Sequence, residues 1–377
     1  MKVLQLCLAY PPNLEGGGAC RVATELTGDL VGGGHRVQVI APKLRGARFQ
    51  RSLLRTERVA AGSFEILYLG TWIQRGFKTL NPTALRLVFR EVVRSDVIVI
   101  HGLRTFIGTV GSLCCRLSGR PYVLFPHGMT VRRWRSLFLK LVYDNMIGNT
   151  ILRRAAKVLC STERERQEII RAIRCAPEQV EVVSVCAWKD TFQPKPRNWT
   201  TARLVFLGRV VREKSLDLLL EALATSKCKH QFSVEIIGPI EDQACAAELR
   251  SKGLLNAVSM TFHGPIYGAE KEAMLASCHL MALLSEYESY GLVAQEAVQA
   301  GTPVLVTDTC GIAPDISPEV GIVIERSVGP IREQLERLAE ADFRELRRLI
   351  AACSQARSRG PARTMLEVIE ARGFAAR

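Results

Sequence analysis

Residues 285–304 read Ser285-Glu286-Tyr287-Glu288-Ser289-Tyr290-Gly291-Leu292-Val293-Ala294-Gln295-Glu296-Ala297-Val298-Gln299-Ala300-Gly301-Thr302-Pro303-Val304. An apolar run, Leu280 to Leu284, leads into this stretch and reads as a strand. A polar turn containing Gly291 follows, then a helix over 292–300, then a second strand over 303–307. Strand, helix and strand in so short a span make a βαβ unit, which belongs to a parallel sheet.

The same alternation extends outward in both directions. Downstream and upstream of the quoted stretch, strand candidates are 203–208, 233–238, 258–263, 280–284, 303–307 and 321–324. Helix candidates are 214–225, 241–252, 269–277, 292–300 and 329–355. The N-terminal half repeats the pattern with strands at 2–8, 36–41, 65–70, 96–101, 121–126, 157–161 and 180–185, and helices that include 19–32, 82–94, 105–118 and 162–174. Gly33-Gly34 closes the first helix, as glycine does at a helix C-terminus. Residues 191–202, rich in proline and polar groups, separate the halves and read as a linker. At 377 residues the chain exceeds the size at which one hydrophobic core stops growing, about 250–300 residues. The expectation is an α/β protein of two doubly wound parallel-sheet domains, 1–190 and 203–377, facing a cleft, with the last helix packing back on the first domain. Ligands of such sheets bind outside the carboxyl ends of the strands.

Composition excludes several classes. No run of about 18 apolar residues spans a membrane. The N-terminus enters an apolar strand pattern at once and lacks the h-region of a signal peptide, so the expected location is cytoplasmic. The twelve cysteines include no Cys-x-x-Cys pair, which argues against a zinc site or a disulfide framework. Net charge is +14, and it is uneven: residues 1–199 carry 31 Lys+Arg against 14 Asp+Glu, residues 200–377 carry 20 against 23. An excess confined to one half points to an anionic partner for that half.

Several segments carry chemistry. In the quoted stretch Glu288 lies near the free N–H groups of a helix N-terminus, which favour an anion such as a diphosphate. Glu288 and Glu296, eight positions apart, share a helical face if the residues between them are helical, and carboxylates accept hydrogen bonds from sugar hydroxyls. A second segment, Leu204 to Lys214, runs an apolar strand into Gly208; Arg209 and Lys214 then flank a helix entrance, where two cations suit a diphosphate without Mg²⁺. A third is the loop Tyr10 to Ala19, in which Gly16, Gly17 and Gly18 let backbone N–H groups face a ligand. A fourth, Pro126-His127-Gly128-Met129, puts a histidine at a strand's carboxyl end; His101-Gly102 ends the preceding strand in the same way. A fifth, 130–143, interleaves Arg132, Arg133, Arg135 and Lys140 with Trp134, Phe138 and Leu141, the pattern of a helix lying on an anionic membrane surface. Arg45 to Arg58 form a further basic cluster.

The context Ser285-x-x-Glu288-x-x-Gly291-x-x-x-x-Glu296-Ala297-x-x-x-Gly301-x-Pro303-Val304 resembles the E-x7-E signature of retaining glycosyltransferases of family 4, which have the GT-B fold of two Rossmann-like domains. Gly208-Arg209 through Lys214 resembles the same family's diphosphate element, with Ser215 where the family usually has glycine. The resemblance implies a nucleoside-diphosphate-sugar donor bound by the C-terminal domain through Gly208, Arg209, Lys214, Ser289, Tyr290, Gly291, Leu292 and Glu296, assisted by Gly17 and Gly18. It implies that Glu288 and His127 act at the reacting centre, that His127 meets donor phosphate or sugar, and that no metal or cofactor is used. It further implies retention at the anomeric carbon and an acceptor hydroxyl on a glycan or lipid-linked glycan in polysaccharide or glycolipid assembly. Two other readings stay open: a sugar-nucleotide epimerase of the same fold, and an anion- or nucleic-acid-binding protein suggested by the charge. The latter has no recognisable reading motif to support it.

Overall fold

Each apolar run of the first half becomes a strand of one sheet. The computed structural model describes residues 1–13, 17–44, 56–75, 78–81, 84–131, 137–185, 197–353 and 364–370. The first unit holds β1 (Lys2–Leu6), α1 (Gly17–Gly32), β2 (Arg36–Pro42), β3 (Glu57–Ala61), β4 (Phe64–Leu69), β5 (Ile73–Arg75), β6 (Lys78–Leu80), α2 (Ala84–Val93), β7 (Val97–His101), α3 (Phe106–Ser118), β8 (Tyr122–Phe125), α4 (Leu137–Tyr143), α5 (Asn149–Arg154), β9 (Lys157–Cys160), α6 (Glu163–Ile173) and β10 (Val180–Val182). Its sheet runs β10-β9-β8-β7-β1-β2-β4-β3. All neighbours are parallel except β3 and β4. Chain order reverses at β1, which lies between β2 and β7. A crevice therefore opens beyond the carboxyl ends of β1 and β7.

Two features of this unit escape the periodicity. β3 is an edge strand, antiparallel to β4, and its Glu57-Arg58-Val59-Ala60-Ala61 carries no apolar run because one side faces solvent. α4 is followed by a π-helical turn, Asp144–Gly148, where Asn149 N–H reaches the Asp144 carbonyl. Arg104, from the loop after β7, donates to both Asp144 carboxylate oxygens at 2.9 and 2.6 Å and to the Met129 carbonyl.

The second unit holds β11 (Ala202–Leu207), α7 (Leu216–Thr225), β12 (Phe232–Ile237), α8 (Gln243–Leu255), β13 (Ser259–Gly264), α9 (Gly268–Ser277), β14 (Leu280–Leu283), α10 (Leu292–Gln299), β15 (Val304–Thr307), β16 (Gly321–Ile324) and α11 (Val328–Cys353). Its six strands are all parallel, in the order β13-β12-β11-β14-β15-β16. Counted from β11 this is 3-2-1-4-5-6, the Rossmann order, with its switch point between β11 and β14. The central strands β14 and β15 are buried along their length and read as apolar runs, whereas the edge strand β13 alternates exposed and partly buried residues. α11 breaks at Glu340–Phe343, where Ala341, Asp342 and Phe343 take φ of 49°, 54° and 58°.

The chain then returns to the first unit in α12 (Met365–Glu370), where His35 and Glu370 meet at 2.9 Å. The two units are Met1–Cys186 with Pro361–Arg377, and Ala187–Gly360. The stretch expected as linker, 191–202, does not run free to its end: the Arg197 guanidinium donates to the Cys278 and Gly301 carbonyls, and Trp199 packs edge-on to His279 and against Phe343. A guanidinium with carbonyl acceptors in reach and an indole with an apolar bed are held to the second unit. Residues 191–196 lie outside the described residues.

Candidate active site

The Rossmann order brings the loops after β11 and β14 side by side. Gly208 ends β11, and its N–H donates to the Ile237 carbonyl at 2.9 Å. Gly238 ends β12 with φ 141°; a Cβ there would collide with the Gly208 carbonyl oxygen, so only glycine lets these two strand ends approach. Arg209 follows, exposed, with its guanidinium 2.8 Å from Glu241. The chain turns through a 3₁₀ segment, Arg212–Lys214, into α7. Ser215 caps that turn with φ 52° and ψ 38°. This left-handed conformation explains why glycine is the usual residue in the family motif. Here the serine hydroxyl accepts a hydrogen bond from Arg326 at 2.7 Å, which helps offset the backbone strain.

Across the switch point, Glu288 sits in the loop after β14. Its carboxylate contacts the Lys214 ammonium and accepts the Ser285 hydroxyl at 2.9 Å. The Glu288 and Tyr290 carbonyls accept from Gly311 and Ile312 N–H at 3.0 and 2.6 Å, which fixes the loop carrying Ser289 and Tyr290. Gly291 has φ 116°, and a Cβ there would press on Leu283 and Ile312 at 3.0 and 3.1 Å. α10 therefore begins only at Leu292. The helix falls where the sequence places it, so the condition for one helical face shared by Glu288 and Glu296 is not met: Glu288 precedes the helix, and the two carboxylates meet different partners. Glu296, on α10, pairs with Lys271 of α9 at 2.9 Å. α10 begins four residues after Glu288, and the first N–H groups of its N-terminal turn have no intrahelical acceptor.

The first unit supplies the remaining residues predicted from sequence. Gly17 and Gly18 form the first turn of α1 and are exposed; the helix starts two residues before the expected 19, so these glycines present helix N-terminal N–H groups rather than loop N–H groups. Residues 14–16 lie outside the described residues. His127 follows β8 with φ 54°, in a conformation held from below. Glu165 is fully buried on the first turn of α6, and its two carboxylate oxygens accept from Gly128 N–H at 2.9 Å and Ser161 N–H at 3.0 Å. Burial pushes the Glu165 carboxyl up to about 7, against the pull of those two N–H groups. The His127 ring lies 4.1 Å from Phe125, centroid to centroid, and its Nε2 is 3.0 Å from His101 Nδ1. Burial pushes His101 down to about 3, and burial together with His101 pushes His127 well below the usual imidazole range. Both rings are neutral at pH 7.

Two family models cover nearly all of the chain: "Glycosyl transferase 4-like domain" matches residues 17–186 and "Glycosyl transferases group 1" matches residues 189–354. The chain belongs to the GT-B glycosyltransferases of family 4. Among curated relatives, the GDP-mannose-dependent alpha-(1-6)-phosphatidylinositol dimannoside mannosyltransferase of Mycobacterium tuberculosis is 26% identical over 369 residues, covering 92% of this chain and 90% of that protein. A D-inositol 3-phosphate glycosyltransferase of Gordonia bronchialis is 28% identical over 269 residues, which span 65% of this chain and 59% of that protein. The crystal structure of HepE of Anabaena in complex with UDP and glucose shares the fold, with a TM-score of 0.67 at 17% identity over 94% of this chain and 95% of that one. The reaction class of the glycosyltransferase is glycosyl transfer.

Sequence reasoning missed Glu165 and Lys271, and also Gln5, whose amide oxygen lies 2.9 Å from His101 Nε2, and Thr27, which accepts the Gln5 amide N–H at 2.8 Å. Gln5 had a signal, being polar in the middle of an apolar strand. Glu165 had one too: Thr162 and Glu165 have capping-box spacing, and the Thr162 hydroxyl accepts Glu165 N–H at 3.1 Å. Lys271 carries no pattern in sequence.

Proposed function

We propose that this glycosyltransferase takes a nucleoside-diphosphate sugar and passes its glycosyl unit, with retention and without a metal ion, to a hydroxyl of a glycolipid or lipid-linked glycan at an anionic membrane surface. The observation that carries the donor half is the Lys214–Glu288 contact at the switch point of the second sheet. A lysine ammonium fixed there can take up the charge of a departing diphosphate. Arg209 adds a second cation, and the N-terminal turn of α10 adds N–H donors. Glu296 accepts hydroxyls of the ribose, and Glu288 those of the sugar. In the transfer the bond from the anomeric carbon to the diphosphate oxygen breaks. The acceptor oxygen bonds to that carbon on the same face, and its proton passes to the departing phosphate. No carboxylate serves as nucleophile.

The acceptor half draws on the first unit's surface. α4 and the turn after it expose Phe138, Leu139 and Met146, at 74%, 62% and 72%. α2 and α3, packed side by side, expose Leu85, Phe89, Leu113 and Leu117, and the exposed charges on the two helices are Arg86, Arg90 and Arg116. Apolar side chains rimmed by one sign of charge suit an anionic lipid surface. Arg132, Arg133 and Arg135, and Arg45 to Arg55, lie outside the described residues. No helix among the described residues is long and apolar enough to cross a membrane.

Titration calorimetry with UDP, GDP and ADP in EDTA tests the donor site. One nucleotide is expected to bind at micromolar affinity, and Glu296→Ala to weaken it. Activity abolished by EDTA and restored by Mg²⁺ or Mn²⁺ would overturn metal independence. Flotation with vesicles tests the surface: binding to phosphatidylglycerol-containing vesicles, lost in Phe138→Asp/Leu139→Asp, is expected, and equal binding to neutral vesicles would overturn its electrostatic part.

A further inference from the structure

His127 ends a chain of hydrogen bonds that begins 100 residues earlier, and proton counting along that chain fixes which nitrogen it presents. Thr27 lies in α1 and has one hydroxyl proton, which it gives to the Ala23 carbonyl one turn back, at 2.9 Å. Its oxygen is then an acceptor only. It accepts the Tyr10 hydroxyl at 2.9 Å and the Gln5 amide nitrogen at 2.8 Å. The Gln5 amide is thereby oriented with its oxygen toward His101, 2.9 Å from Nε2. That oxygen can only accept, so His101 carries its proton on Nε2 and offers a lone pair at Nδ1. His127 Nε2, 3.0 Å away, must supply the proton of the next bond. A neutral imidazole has one N–H, so His127 Nδ1 is left with a lone pair. Among the described residues, Nδ1 has no hydrogen-bond partner, and it is not among the buried polar atoms lacking one.

We propose that Thr27, Gln5 and His101 are positioning residues that lock His127 as its Nε2–H tautomer, so that its Nδ1 receives a sugar hydroxyl and not a phosphate oxygen. A bare nitrogen repels a phosphate oxygen and accepts an O–H. Neutrality of both rings keeps this arrangement through the physiological pH range, since neither imidazole gains the second proton that would turn Nδ1 into a donor. Four elements hold the relay: β1 carries Gln5, α1 carries Thr27, β7 ends in His101, and the turn after β8 carries His127. The reverse relay, with the Gln5 amide flipped and His127 protonated on Nδ1, requires Thr27 to withdraw its proton from Ala23 and give it to Gln5. Thr27 is thus the residue on which the tautomer turns. The assignment of a hydroxyl rests on the glycosyl-transfer reading; the tautomer itself does not.

Long-range ¹H–¹⁵N correlation spectra of the whole chain labelled with ¹⁵N-histidine test the lock directly. The chain has six histidines, and His127→Asn, a residue that tolerates positive φ, identifies the His127 signals by their loss. The expected result is a protonated Nε2 and a bare Nδ1 at pH 7, kept in Thr27→Ser and lost or mixed in Thr27→Val, with melting temperature serving as the control for folding. A protonated Nδ1 in the unaltered chain overturns the proposal. Affinity for the nucleoside diphosphate that binds in calorimetry supplies the second arm. His127→Asn and Thr27→Val are expected to slow transfer about tenfold while leaving that affinity unchanged, and Thr27→Ser to restore the rate. A parallel loss of diphosphate affinity in His127→Asn overturns the hydroxyl assignment. Absence of any transfer by the unaltered chain would instead indict the glycosyl-transfer reading, and the spectra would still decide the tautomer.

Discussion

The two sheets each place polar side chains at a switch point, but with opposite chemistry. The second unit uses ion pairs: Lys214 with Glu288, Lys271 with Glu296, Arg209 with Glu241. The first unit uses a neutral relay through Thr27, Gln5, His101 and His127. The contrast follows from the proposed ligand. A diphosphate needs fixed cations, and cations kept close to carboxylates pay less desolvation. A sugar hydroxyl needs an acceptor of known direction, and buried neutral groups supply one without a charge to hide.

Substitutions at four positions would break or sharpen that contrast. The largest effect is expected at Lys214. Lys214→Ala should lower kcat/KM by about 10²–10³, the loss typical of removing a preorganised group that meets developing charge. Transfer assays over a range of donor concentrations measure it; an unchanged kcat/KM would mean that the ion-pair side of the contrast carries no catalysis.

Glu165 probes the neutral side. Its carboxyl is raised from 4.5 to about 7 by burial, so the folded state holds its proton where the unfolded state has released it. The contribution to stability is complete below pH 4.5 and is lost as pH rises through 7, amounting to about 3 kcal/mol. Urea unfolding at pH 5 and pH 8 reads it out, and Glu165→Gln should flatten the slope. Equal stability at the two pH values would overturn it.

Glu296→Ala is expected to weaken binding of the nucleoside diphosphate about tenfold by calorimetry, as the loss of hydroxyl contacts to a carboxylate would. The smallest effect is at Ser215. Ser215→Gly relieves a left-handed backbone but forfeits the Arg326 hydrogen bond, and the two should cancel to within about 0.5 kcal/mol. Ser215→Ala loses the bond with no relief and should cost about 1 kcal/mol. Thermal melts distinguish the two.

The donor loops were legible because their chemistry is local. Gly208, Arg209 and Lys214 fall within seven residues, and Glu288 to Glu296 within nine. The first unit's relay was not, because its members lie 22, 96 and 26 residues apart. His127 and His101 stood out at their strand ends, and Gln5 is polar in an apolar strand, but nothing local to any of them shows that they join. The edge strand β3 was missed for a related reason: half exposed and antiparallel, it lacks the apolar run by which buried parallel strands announce themselves.

The sequence by itself determined the α/β class, the two successive parallel sheets and the charged residues of the donor loops, because strand burial, helix starts and motif spacing are all properties of neighbours along the chain. Tertiary structure alone decided the strand order that sets Lys214 against Glu288, the pairing of Glu296 with Lys271, and the nitrogen that His127 presents. Each of these depends on groups brought together across tens of residues, where hydrogen-bond geometry and proton count, rather than local pattern, select the outcome.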